Sequence, residues 1–278
     1  MGDFSTAWLR LREPVDQRSR DAGVATALRQ AFQAHAMVRV ADIGCGTGAN
    51  LRATAPWLGP GQEWTLLDND AGLLDAARDI LGAWADRAEP VNQGLRLWKD
   101  GRTIDVRFRL CDLAADLDGS LPPDADLVTA SAFFDLVSAT FIDRLVAAVV
   151  RRRAVFHTVL TYDGSHRWSP ESPWDQAIGQ AFNAHQVADK GFGPAAGPAA
   201  SILLRQAFQA AGYTVVSGDS PWRLATGDLA LTRELIEGIA AAVAETGQVP
   251  AETVAAWRGL ARHAIRVGHQ DLLALPAD

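Results

Sequence analysis

The sequence is short of cysteine, of net positive charge and of long apolar runs. Two cysteines in 278 residues, one of them set among glycines, make neither a disulfide framework nor a zinc site. A formal net charge of −7 argues against binding that rests on neutralising phosphates, although a local basic patch stays compatible with it. No stretch reaches the length of a membrane span, and the first five residues carry neither a basic nor an apolar leader region. Internal repeats and low-complexity linkers are missing too. The expectation is one domain over residues 1–278 in a cytoplasmic setting. At 48% apolar and 21% charged residues, the composition is that of a globular protein able to bury a large core.

What is there centres on one stretch. Val38-Arg39-Val40-Ala41-Asp42-Ile43 is a β-branched apolar run that leads into Gly44-Cys45-Gly46-Thr47-Gly48, and a helix-compatible run over 51–55 follows. This reads as a buried strand, a tight turn and a helix start. Alternate glycines let the backbone take positive φ and leave no Cβ to keep a ligand away.

Upstream, residues 1–36 read as a helical arm with Phe4, Trp8, Leu9 and Leu11, then Val24, Leu28 and Phe32, with Pro14 expected to break the run. The charged stretch from Arg10 to Asp21 is either a solvated helix face or an arm folding over the glycine turn. Downstream, strands and helices alternate. A strand over 63–68 ends at Asp68, and Asp70 caps a helix that Gly82 should terminate. An Asp100-Gly101 turn joins a hairpin decorating the main sheet, whose second arm runs to Cys111-Asp112-Leu113. Strands over 126–130 and 154–161 flank a helix with Phe141, Leu145 and Val149, closed by Arg151, Arg152 and Arg153. Residues 163–198 break the rhythm and read as a lid or substrate loop. A helix over 202–211, a strand over 213–217, a helical insertion over 228–264 and a last strand over 265–275 complete the chain. The fold class expected is α/β: a doubly wound, mostly parallel seven-stranded sheet with a final antiparallel strand and helices on both faces.

With these motifs in place, the chain resembles the class I S-adenosylmethionine-dependent methyltransferases over nearly its whole length. Asp42 to Gly48 matches that family's first motif, an acid two residues before a G-x-G-x-G turn. The resemblance implies S-adenosylmethionine as cofactor and S-adenosylhomocysteine as product. It implies a donor site built from Asp42, Gly44, Cys45, Gly46, Gly48, Asn50, Asp68, Asn69, Asp112, Leu113 and Ser131. Asp42 would orient the methionine amino group, directly or through water. Asp68 would accept from the ribose hydroxyls, and Asp112 with Leu113 would frame the adenine. Ser131 and Phe133 begin the segment that faces the methyl donor.

Each residue has a plainer reading. Asp42 and Asp68 are also candidate caps, of the glycine turn and of the following helix, and Cys45 is a small residue suited to a tight turn. Candidate proton acceptors at strand ends are Asp135, Tyr162, Asp163, His166 and His185, with His157 expected as a core histidine. Phe133, Trp168, Trp174 and Lys190 are candidates for touching an acceptor, with lid packing the alternative for both tryptophans. No metal site is expected. The loop Ser131-Ala132-Phe133-Phe134 lacks the pattern of amino-methylating nucleic-acid enzymes, so a small-molecule acceptor is expected, without nucleic acid or membrane. Two rivals stay open. One is a catalytically silent adenosylmethionine-binding regulator. The other is an NAD-dependent oxidoreductase, since Gly44, Gly46 and Ala49 also fit G-x-G-x-x-G/A.

Overall fold

A computed structural model describes residues 5–92 and 94–277. Phe4, read above as part of the helical arm, lies outside the described residues. In chain order the elements are α1 (Thr6–Ser19), α2 (Ala22–Phe32), β1 (Met37–Ile43), α3 (Ala49–Thr54), β2 (Gly61–Asp68), α4 (Ala71–Trp84), β3 (Arg87–Val91), β4 (Gly94–Lys99) and β5 (Arg102–Leu110). Then come α5 (Leu117–Ser120), β6 (Leu127–Ser131), α6 (Ala139–Arg152), β7 (Val155–Ser169), α7 (Asp175–Gln186) and α8 (Ala200–Ala210). The chain closes with β8 (Thr214–Asp219), β9 (Trp222–Leu224), α9 (Leu229–Thr246), α10 (Ala251–Arg258) and β10 (Ala264–Leu275).

The central sheet runs β5-β2-β1-β6-β7-β10-β8, with β10 antiparallel to both of its neighbours and the others parallel. This is the expected seven-stranded α/β core with one reversed strand. β3 and β4 extend it antiparallel beyond β5, and β9 pairs with β10. The middle of β1 is covered on both faces, which is why its run reads as continuously apolar rather than alternating. One core lies between the sheet and α6 and α8, around Phe134, Phe156 and Phe208; a second lies on the other face against α2 and α4, around Leu28, Trp64 and Leu81.

Several expectations give way. Pro14 sits inside α1 without breaking it, because it lies on the exposed side, where the carbonyl freed at Arg10 meets water. The arm instead turns at Arg20, where Asp21 accepts from the amide of Val24 to cap α2. Gly82 lies within α4, which continues to Trp84 because Leu81 anchors that turn in the core. The Asp100-Gly101 hairpin does not decorate the sheet, since its second arm, β5, is the third parallel strand beside β2. β5 stops at Leu110, ahead of Cys111-Asp112-Leu113. β7 runs on to Ser169, so the first part of 163–198 is strand, paired with β10.

The rest of 163–198 joins the helical insertion over 228–264. Ile178 and Ala181 of α7 pack with Ile239 and Val243 of α9 and Trp257 of α10 in a third core that also holds Trp168 and Trp222. Asp175 at the start of α7 accepts from Trp257 Nε1 at 2.8 Å and from Arg262 at 2.6 Å. No helix among the described residues is long and apolar enough to cross a membrane.

Candidate functional site

The carboxyl ends of β1, β2 and β6 open into a cavity of about 480 Å³, within the usual size range of small-molecule sites. Its floor is the glycine turn. Gly44, Gly46 and Gly48 all have positive φ, of 61°, 53° and 73°. A Cβ on Gly44 would lie 2.6 Å from the Phe133 ring, and one on Gly46 would lie 3.2 Å from Leu9 Cδ1. Only glycine lets these neighbours approach so closely.

Of the residues named from the sequence, Gly44, Cys45, Gly46, Asn50, Asp68, Asn69, Ser131 and Phe133 line this cavity. Asp68 ends β2 and receives the Gly46 amide on Oδ2 at 2.8 Å and the Asp70 amide on Oδ1 at 3.1 Å. Each oxygen keeps a further lone pair, so the carboxylate can accept from a ligand while bracing the turn. Burial pushes its carboxyl above the ordinary value.

Asp42 lies beneath the turn and is fully buried. It accepts from Asn50 Nδ2 at 2.8 Å, and its Oδ2 has no hydrogen-bond partner among the described residues. Burial raises its carboxyl to about 7, against the opposing effects of Asn50 and the Arg20 guanidinium. Asn50 also donates to Thr129 and accepts from Arg20 Nη2 at 3.0 Å, so a buried polar chain supports the floor from below. Cys45 is buried as well, which drives its thiol far up in pKa and leaves it an inert lining group. Gly48 caps α3 against Leu81 and does not line the cavity.

Other named residues lie elsewhere. Asp112 turns back on its own loop, accepting from the amides of Ala114 and Ala115, and Leu113 is buried in the core, so neither reaches the cavity wall. The reason is local: β5 ends before them, and an aspartate at a strand end readily caps the turn that follows. His185 bonds Glu245 of α9 at 3.0 Å and faces Lys190 at 3.5 Å, on the outer surface of the helical layer. Trp168 is buried in the third core with its ring edge-on to Trp257, and Trp174 stands half-exposed ahead of α7. Tyr162 donates to Asn183 Oδ1 at 2.8 Å and lies 3.2 Å from His166 Nδ1, which ties β7 to α7. His157 is buried and His166 half-buried, and both are neutral, their pKa values lowered to about 3 and about 4 by desolvation. Among the described residues, nothing from 163–198 lines the cavity; Phe192 touches it only through Phe133, at 5.7 Å between rings.

Asp135 follows β6 directly behind Ala132, Phe133 and Leu136, which do line the cavity. Burial raises its carboxyl to about 6, and its Oδ1 has no partner among the described residues.

The cavity roof is the N-terminal arm, one of the two readings open for its charged stretch, although none of its residues was named for the site. Leu9, Arg12 and Asp16 of α1 line it, at spacing i, i+3, i+7 on one helix face. The charged stretch is therefore an arm over the glycine turn rather than a solvated face. Glu13 pairs with Arg52 of α3 at 2.6 Å and Arg18 with Asp228 at 2.7 Å, which holds the arm down. The sequence offered this arrangement beside a solvated face, without saying which of the two holds or which side chains face down. No group of three or more potential ligands among the described residues could hold a metal ion.

No protein-family model matches the sequence, and no curated protein sequence does. Solved structures match in shape. The cyclopropane synthase MmaA2 from Mycobacterium tuberculosis superposes with a TM-score of 0.52 at 14% identity, over 98% of this chain and 95% of that one. The YcgJ protein from Bacillus subtilis gives 0.51 at 13% identity, over 93% and 100% of the two chains. The mycolic acid cyclopropane synthase CmaA1, in a complex with SAH and CTAB, gives 0.50 at 13%, over 91% and 83%. With identities this low the likeness is one of architecture, and in architecture this chain has the fold of the class I S-adenosylmethionine-dependent methyltransferases.

Proposed function

We propose that this protein is an S-adenosylmethionine-dependent methyltransferase that acts on a small molecule. The observation that carries the reading is the cavity over the glycine turn, walled by Asp68 and Asn69 on one side and by Ser131 and Phe133 on the other. CmaA1, a structural neighbour, is complexed with SAH. S-adenosylmethionine would supply an electrophilic methyl group on a cationic sulfur. Asp68 would accept from the ribose hydroxyls through its remaining lone pairs. Gly44 and Gly46 would let the chain lie close under the sulfur, and Asp68 and Asp70 in the wall, beside the mutually compensated Arg12 and Asp16, favour a cationic ligand.

The protein's part in such a displacement is proximity and alignment. Where the acceptor is a hydroxyl or ammonium, Asp135 is the sequence-named carboxyl beside the wall residues Phe133 and Leu136, and it would have to turn into the cavity, which it does not line, to take a proton. A carboxyl at about 6 both binds and releases protons near neutrality. His185 lies away from the cavity, and Tyr162, raised in pKa by burial, stays protonated.

The turn is poorly suited to NAD. Three of its amides are already engaged: Cys45 donates to Leu67, Gly46 to Asp68 and Gly48 to Cys45. A diphosphate set on it would lie against the Asp68 and Asp70 carboxylates, which line the same cavity. Titration calorimetry with S-adenosylhomocysteine and with NAD tests the reading. Binding of the first and none of the second is expected; heat from NAD alone would overturn it.

A further inference from the structure

A cavity for S-adenosylmethionine must receive an α-amino-acid tail, and Asp42 is badly placed to hold it. That carboxylate is fully buried below the glycine turn, with one oxygen committed to Asn50. Helix α1 offers a different pair. Arg12 meets Asp16 through Nε–Oδ2 at 2.8 Å and Nη2–Oδ1 at 3.3 Å, and both residues line the cavity. Asp16 is only 9% exposed and also receives Trp222 Nε1 on Oδ1 at 2.9 Å. The Arg12 guanidinium lies over the Trp222 ring at 5.0 Å. A cation and an anion are thus held side by side in a largely dry wall, with an indole fixing both.

The sheet order says what reaches them. Asp68 ends β2, on one side of β1, and Ser131 ends β6, on the other. A ligand whose ribose sits on Asp68 extends across the glycine turn toward Ser131. Arg12 lies on that side, over Trp222 of β9 and close enough to Asp135 after β6 for its charge to act there. Leu9, one helical turn earlier, is seated on Gly46.

We infer that the Arg12–Asp16 pair is the receptor for an α-amino-acid zwitterion, the guanidinium taking its carboxylate and Asp16 its ammonium. A zwitterion matches the pair charge for charge, so both partners stay compensated when it enters, and neither is left buried alone. The inference rests on the methyl-donor reading for the identity of the ligand. The zwitterion is either the tail of the donor or that of an amino-acid acceptor.

The test compares S-adenosylhomocysteine with 5′-methylthioadenosine, which keeps the nucleoside and the sulfur but has no amino-acid tail. Calorimetry is run on the full chain and on Arg12→Gln and Asp16→Asn, with circular dichroism confirming that each variant is folded. Expected is a loss of about tenfold or more for S-adenosylhomocysteine in each folded variant, with 5′-methylthioadenosine unchanged within about twofold. L-methionine and glycine titrated into protein saturated with S-adenosylhomocysteine distinguish the two sources. Binding that Arg12→Gln abolishes, with the nucleoside ligands unaffected, assigns the pair to an acceptor. Equal losses for both nucleoside ligands, or no loss for any ligand, would overturn the inference and leave the methyl-donor reading standing. Wild-type protein that binds neither nucleoside would overturn both.

Discussion

Asp42 carries an acid into a place with almost no water. Burial holds its carboxyl near 7, against an ordinary 3.8. Between about pH 4 and 7 the folded chain therefore keeps a proton that the unfolded chain has lost. Stability contributed by this group falls as pH rises through that window and levels off above it. Asp42→Asn keeps an acceptor for Asn50 and removes the titration. Urea unfolding across pH 4 to 8 should show the variant gaining on the wild type up to about pH 7, by at most about 4 kcal/mol, with a constant difference beyond. The neutral histidines His157, His166 and His269, desolvated by the fold, act with the opposite sign, costing stability as pH falls below 6.5, and they cancel in the difference. A gap that does not change with pH would mean that Asp42 ionises as in water.

At the scale of elements, the two tryptophans near the end of β7 have different duties. Trp168 is 5% exposed, edge-on to Trp257 at 5.0 Å and under the Arg262 guanidinium at 5.2 Å. Trp174 stands at the head of α7, 36% exposed. Trp168→Ala should cost about 3–5 kcal/mol of unfolding free energy by opening a cavity in the third core, and Trp174→Ala about 0.5 kcal/mol or less. S-adenosylhomocysteine affinity should survive both, since neither residue lines the cavity; equal stability of the two variants would contradict the packing. The helical layer of α7, α9 and α10 thus buttresses β7 and β10. The strand carrying Tyr162 and Trp168 is long because β10 pairs with it from Ala274 back to Ala264.

At the scale of the whole molecule, the cavity is completed only when α1 lies across the sheet. Glu13–Arg52, Arg18–Asp228 and the Asp21 amide on Asp271 tie the arm to three separate regions of the chain. Ligand in the cavity should therefore stabilise the arm and the sheet together. S-adenosylhomocysteine at 100 times its dissociation constant is expected to raise the unfolding free energy by about 2.7 kcal/mol. In hydrogen exchange it should slow the amides of α1 and of the 44–50 turn while leaving those of α7 unchanged short of global unfolding. Protection confined to α7 would place the ligand in the other layer.

The strand, glycine turn and helix around Asp42 could be read from residues alone, because that chemistry is local. A positive φ at Gly44, Gly46 and Gly48 and an apolar run before them depend on neighbours in sequence. The same holds for the alternation of strands and helices, and for Asp68 at the end of its strand. The sequence by itself thus determined the fold class and the floor of the cavity. For the roof, the sequence left two readings of the arm open, and tertiary structure decided between them. Leu9 meets Gly46, Glu13 meets Arg52 and Asp175 meets Arg262 across long stretches of chain. Periodicity says that α1 has a face; it does not say what that face covers. Likewise β7 outlasts its apolar pattern because β10 supplies its hydrogen bonds, and Asp112 leaves the cavity because β5 stops at Leu110. Local pattern sets backbone conformation, whereas which side chains meet is decided by burying the whole chain around one sheet.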